Sequence, residues 1–290
     1  MAALAGVSLS GAGWLLPFHI GAVSALRHAK LISPRTLLCG ASGGSLVAAA
    51  AALDVPLERI LHTQETLAEA ALKSGAWRRG GIRQLMEEPL RRLLPKNACA
   101  RLKELEALHG GCPRLAVAVL PMPVRPWSKP VLLTHFKDDE DLVQALLASC
   151  HVPFYMDGKA TCALRGRRAV DGGLVDLVPP VHGALGISPF PALMLKILRQ
   201  RAEVVVDGGA RKLLPNSLRL VTAALWPPSY AETEHLYHAG EVAATEVAQK
   251  LRRAWPPHLL RDTDENATER MLADVRQWPD DEDEEAGVGR

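Results

Sequence analysis

Cysteine is scarce in this chain. Cys39, Cys99, Cys112, Cys150 and Cys162 are odd in number and show no paired spacing, which excludes a disulfide framework and a zinc site. They read as small buried apolar residues. Long hydrophobic runs are missing too. The longest apolar stretch near the start, Leu4 to Leu16, is broken by Ser8, Ser10 and glycines, and it falls short of the roughly 20 residues needed to span a bilayer. Met1 to Gly13 carries no Lys or Arg, so the positive region that opens a secretory signal is absent and an intracellular location is expected.

What is present is a globular composition, 48% hydrophobic and 23% charged over 290 residues, enough for one large α/β domain with a sizeable core. The formal charge is +2, but Asp280 to Glu285 supplies six acids against the single base Arg290 beyond residue 279, leaving +7 on residues 1–279. A basic body suits an anionic lipid surface, although an ordinary solvated surface explains it as well. No nucleic-acid motif accompanies it.

Leu4 to Ser10 reads as a short buried strand running into the turn Gly11-Ala12-Gly13, with a helix from about Pro17 to Lys30. The pattern repeats with Thr36 to Cys39 as strand, Gly40 to Gly44 as turn and Ser45 to Leu53 as helix. Two such units predict parallel strands. Leu57 to Leu108 is helical and amphipathic, interrupted at Pro89 and Pro95. Its arginines and Lys96, set among Ile82, Leu85, Met86, Leu90, Leu93 and Leu94, suggest either a layer covering the sheet or a lid that meets a membrane. Arg114 to Leu120 and Val131 to Phe136 read as a hairpin, Asp138 to Cys150 as a helix, and Ala169 to Val175 and Ala184 to Phe190 as strand ends. Arg201 to Arg211 suits one more strand and turn.

The chemistry centres on Gly40-Ala41-Ser42-Gly43-Gly44, a G-x-S-x-G sequence between an apolar strand and an apolar helix. A sharp turn there would expose the Ser42 hydroxyl at a helix N-terminus, with glycines leaving room for the turn and for substrate. Gly11, Ala12, Gly13 and Trp14 supply backbone N–H groups of the kind that hold an oxyanion. Dinucleotide binding by the same loop is disfavoured, because G-x-G-x-x-G fails at Leu16 and no acid ends a second strand at the required distance. Ser42 needs a base. Asp171, in Asp171-Gly172-Gly173, is one candidate and Asp207, in Asp207-Gly208-Gly209, is a rival that composition does not exclude. His19, His151 and His182 would permit a triad, His182 standing in the chain order of α/β-hydrolases. Trp14, Phe18 and the aliphatic residues after Ser45 are candidates to line an acyl groove.

The Ser10 to Trp14 loop, Gly40 to Gly44 and Asp171-Gly172-Gly173, in this order, resemble the patatin-like phospholipase family. Phe18 to Ala22, Leu147 to Pro153 and Ile187 to Phe190 are similar to its animal triacylglycerol-lipase branch. The resemblance covers residues 4–195 and implies a three-layer α/β/α sandwich with a mainly parallel sheet; beyond it the residue pattern reads as a mostly helical extension over 196–278 and an acidic disordered tail over 279–290. It favours Asp171, since Val178-Pro179-Pro180 follows as in the family. It implies a Ser42-Asp171 dyad that cleaves lipid esters, triacylglycerol or glycerophospholipid, with no cofactor and no metal; the basic amphipathic stretch near Arg83 to Lys96 predicts peripheral attachment to a membrane or lipid droplet. A protein regulator is left unidentified. The rival readings are a non-catalytic lipid-surface or regulatory protein that keeps the fold, and a Ser-His-Asp esterase.

Overall fold

The computed structural model describes residues 3–125, 128–191, 194–195, 204–208, 217–253 and 278. The reading of 279–290 as a disordered tail lies outside them, as do 196–203, 209–216 and 254–277 of the expected extension.

Both expected strand-turn-helix units form. Strand β1, Gly6–Leu9, is followed by a 3-10 turn at Gly13–Leu15 and helix α1, Pro17–His28; β2, Leu37–Ala41, is followed by α2, Gly43–Ala52. Every residue of β1 and β2 is buried, as befits parallel strands covered on both faces. Helices α3 (Leu57–Ser74), α4 (Ala76–Arg79), α5 (Ile82–Leu93) and α6 (Ala98–Leu108) fill the next stretch. Pro95 lies beyond α5, but the helix runs through Pro89. Its inner face there buries Met86, Leu90 and Leu93, and Arg91–Glu87 and Arg92–Glu88 pairs bridge successive turns outside. The basic amphipathic stretch is therefore turned inward. Arg91 also pairs with Glu140, and Arg83 donates to the Gln144 side chain.

The β3–β4 hairpin (Leu115–Pro121 and Val131–Leu133) is antiparallel as expected, and α7 (Asp139–Ser149) is capped by Asp138, whose carboxylate accepts from the Asp141 N–H at 2.8 Å. Sequence reading missed β5, Cys162–Leu164. It pairs with β6, Arg167–Asp171, through a tight turn in which Arg165 and Gly166 both adopt positive φ, and β6 runs antiparallel to β3. The strand expected to continue to Val175 stops at Asp171, where Gly172–Leu174 turns into a 3-10 helix. Strands β7 (Ala184–Ser188) and β8 (Val204–Asp207) complete the sheet, in the order β5-β6-β3-β2-β1-β7-β8 with β4 beside β3. The result is a three-layer α/β/α sandwich whose central strands are parallel.

Alternation along the strands divides the core. Leu37, Cys39 and Ala41 of β2 and Ala116 and Ala118 of β3 pack on one face, while Leu38, Leu115, Val117 and Val119 join the larger cluster on the other. Helices α8 (Ser217–Leu225) and α9 (Tyr230–Arg253) belong to that larger cluster through Leu220, Leu236, Ala244 and Leu251. The α1 and α9 backbones touch, because a Cβ on Gly21 would overlap the Tyr237 carbonyl and one on Gly240 the Phe18 carbonyl. All five cysteines are buried free thiols. Among the described residues, no helix is long and apolar enough to cross a membrane.

Candidate active site

Sheet register brings the motifs to one level. Leu9 pairs with Gly40, so the Ser10 loop leaves β1 beside the turn after β2; Ala41 pairs with Ala118, and the next residue of β3, Val119, faces Asp171. Ser42 follows Ala41 with φ 50° and ψ −131°, a strained conformation for a residue with a side chain. The turn closes because Gly40 and Gly44 are bare: a Cβ on the first would overlap the Gly44 carbonyl and on the second the Ser10 carbonyl oxygen. Three further bonds hold the strain. The Ser42 N–H donates to Ser149 Oγ at 3.0 Å, Ser149 Oγ donates to the Ala118 carbonyl at 2.7 Å, and Ser45 Oγ donates to the Ser42 carbonyl at 2.7 Å.

Asp171 ends β6 almost fully buried. Its N–H donates to the His151 carbonyl at 3.0 Å, and its carboxylate accepts from the Gly173 N–H at 2.7 Å. Burial raises its pKa from 3.8 to about 7, against the opposing pull of hydrogen bonds from the Ser42 side chain and the Gly173 N–H. Gly173 lies between the motifs: a Cβ there would stand 3.1 Å from the Asp171 carboxylate and 3.6 Å from the Gly11 Cα. One on Gly172 would strike the Ala118 backbone.

Within the Gly11 to Trp14 loop, the Gly11 N–H donates to the Leu177 carbonyl at 2.7 Å, so this amide is already engaged. The N–H groups of Ala12, Gly13 and Trp14 meet no acceptor among the described residues. Gly13, with φ 51°, lies against Gly43 and leaves no space for a Cβ under the Ala224 carbonyl. Leu16, where a dinucleotide loop would have its third glycine, instead packs on Gly43 and lines a groove.

That groove lies beside Ser42 and is lined mainly by apolar side chains, among them Trp14, Leu46, Leu67, Met86 and Leu225. Trp14 thus stands where the sequence places it. Phe18 does not: it is fully buried in the core against α9. Trp14 Nε1 donates to the Tyr155 hydroxyl at 2.7 Å, which donates to the Leu225 carbonyl at 2.8 Å, tying α8 to the site.

No histidine joins the serine to the carboxylate among the described residues. His19 is buried with its Nε2 2.9 Å from the Ser10 carbonyl, and desolvation lowers its pKa to about 4, so it is a neutral prop for the loop. His151 bonds the Lys159 carbonyl through Nε2, and His182 is exposed. Asp207 ends β8, three strands from β2. Sequence reasoning assigned no role to Ser149, Tyr155 or Leu225; Ser149 stands inside a noted motif, but nothing local marks it as the partner of a residue 107 positions away. No group of three His, Cys, Asp or Glu is placed to hold a metal ion among the described residues.

A patatin-like phospholipase family model matches residues 7–215. The chain is 31% identical over 252 residues to human patatin-like phospholipase domain-containing protein 4, covering 81% of this chain and 92% of the relative. It is 29% identical over 191 residues to human 1-acylglycerol-3-phosphate O-acyltransferase PNPLA3, covering 63% of this chain and 37% of that protein. It is 25% identical over 263 residues to human omega-hydroxyceramide transacylase, covering 86% of this chain and 46% of that one.

Proposed function

This chain belongs to the patatin-like phospholipase family, and from that premise we propose that it cleaves carboxylic esters of lipids through Ser42 and Asp171. The observation that carries the proposal is a buried carboxylate, its charged form favoured by the Ser42 side chain, beside a serine at the wall of an apolar groove, without a histidine between them among the described residues. An ordinary aspartate is a weak base at neutral pH; one raised to about 7 matches the operating range of a general base.

The acyl chain lies in the groove and the ester carbonyl carbon approaches Ser42 Oγ. Asp171 accepts the hydroxyl proton as the Oγ–carbon bond forms, and the oxyanion is held by the N–H groups of Ala12, Gly13 and Trp14. Asp171 then returns the proton to the departing alkoxide, leaving an acyl group on Ser42. Water attacks that acyl-enzyme with Asp171 again as base, and Asp171 passes the proton to Ser42 Oγ as the Oγ–acyl bond breaks and the fatty acid leaves. Lipid esters, triacylglycerol or glycerophospholipid, are the substrates, met at a membrane or lipid-droplet surface. Two relatives are named as an acyltransferase and a transacylase; an acceptor lipid alcohol in place of water would discharge the same acyl-enzyme by transfer.

The test is fatty-acid release from triolein and from phosphatidylcholine by wild type, Ser42→Ala, Asp171→Asn and Asp207→Asn, with a monoacylglycerol acceptor added in a second series. Wild type and Asp207→Asn are active and the other two dead. Equal inactivity of all four on every ester would leave the non-catalytic reading standing, and loss of activity in His182→Ala would restore the triad.

A further inference from the structure

The rim of the groove is both apolar and cationic, and the inference drawn from it rests on reading that groove as a lipid-ester site. Leu225 lines the groove and Trp226 follows it at 50% exposure. The Trp226 ring lies against Trp77 of α4, with centroids 4.1 Å apart. The Arg78 guanidinium sits over both rings, 4.6 Å from the Trp77 centroid and 5.7 Å from that of Trp226. It makes no ion pair among the described residues, and Arg79 beside it is exposed. Phe154, next to the groove-lining Tyr155, is 66% exposed and held at φ 64°. Its loop adjoins the end of α4: a Cβ on Gly80 would lie 2.7 Å from the Phe154 carbonyl oxygen. Aromatic residues make up only 4% of this chain, yet Trp226 and Phe154 are left largely in water at one mouth instead of serving the core.

We propose that Trp77, Arg78, Leu225, Trp226 and Phe154 form the docking surface for an anionic phospholipid interface. Tryptophan and phenylalanine rings enter the headgroup boundary, where an apolar body with a polar edge is favoured, and an arginine without an acidic partner meets lipid phosphate. The +7 charge of residues 1–279 has the same sign as this rim. Docking in this orientation sets the groove against the lipid layer, so that an acyl chain passes from interface to Ser42 without crossing water.

Flotation of the full chain with phosphatidylcholine vesicles, with and without phosphatidylserine, tests this beside hydrolysis of a water-soluble short-chain ester. Wild type floats with the phosphatidylserine vesicles. Trp226→Ser and Phe154→Ser each lower the bound-to-free ratio about tenfold, and Arg78→Gln lowers it about fivefold on phosphatidylserine vesicles alone. All three hydrolyse the soluble ester at the wild-type rate, which also shows that they fold. Wild type that stays behind with both vesicles, or variants that float like wild type, would overturn the proposal. So would a lipid-free dimer dissociated by Trp226→Ser, which would assign the face to a second copy. Flotation without hydrolysis keeps the docking surface and rejects the ester-cleaving reading; hydrolysis of the soluble ester without flotation does the reverse.

Discussion

Replacing Asp171 by Asn isolates a carboxyl whose burial opposes its ionisation. Its pKa stands at about 7 in the folded chain against an ordinary 3.8, chiefly because burial strips the charged form of water. The native state therefore holds a proton that the unfolded chain releases near 3.8, and the stability this contributes is present below 3.8 and is lost as pH rises through about 7. The full shift corresponds to about 4 kcal/mol, of which about 3 kcal/mol is lost between about pH 5 and pH 8. Asn keeps the shape and never ionises. Thermal unfolding of both proteins at the two pH values gives the comparison. His19 and His151, whose pKa values burial lowers, titrate in both proteins and drop out of the difference. The Asn variant gains on wild type from the lower to the higher pH, by on the order of 5 °C or more. A difference that stays flat across that range would refute the reasoning. The same proton controls the reaction: kcat/KM of wild type rises about tenfold per pH unit below 7 and levels off above it, and activity undiminished at about pH 5 would demand another base.

Ser149→Ala leaves the Ser42 N–H and one bond to the Ala118 carbonyl unmade. Denaturant unfolding should show a loss of about 1–3 kcal/mol, and steady-state kinetics a kcat lowered about tenfold or more with KM little changed, because the serine is misplaced while the groove is intact; Ser149→Thr restores part of both. Gly240→Leu forces α9 away from the Phe18 carbonyl, and chemical denaturation should register a loss of about 3 kcal/mol or more.

Much of the site was legible because its parts are local. A uniformly buried strand, a glycine turn and an apolar helix each leave a contiguous trace, and both units around Gly11 to Trp14 and Gly40 to Gly44 formed where the pattern placed them. What escaped notice depends on partners distant in sequence. The Arg165-Gly166 turn is short and polar, so β5 fell below the length at which alternation shows. Phe18 follows the loop as a groove residue would, but it is fully buried and its backbone carbonyl meets Gly240 of α9, more than 200 positions later. Tyr155, in a turn, meets Leu225 across 70 positions, at the end of a helix whose pattern reports amphipathicity and no address.

The choice between Asp171 and Asp207 shows where composition stops and topology takes over. Each ends an apolar strand and precedes two glycines, so strand propensity and turn chemistry treat them alike. Sheet order separates them. β8 lies outside β7, three strands from β2, a span of about 14 Å at ordinary strand spacing, and an aspartate side chain does not bridge that distance. β6 lies on the other side, against β3, in a register that sets Asp171 opposite Val119, one residue beyond the partner of Ala41. Because β6 is antiparallel, its chain reaches Asp171 as it leaves the sheet and turns through Gly172 and Gly173 towards Gly11, carrying the carboxylate to Ser42. Strand order and register, with the turn through Gly172 and Gly173, thus bring Asp171 rather than Asp207 beside the serine turn.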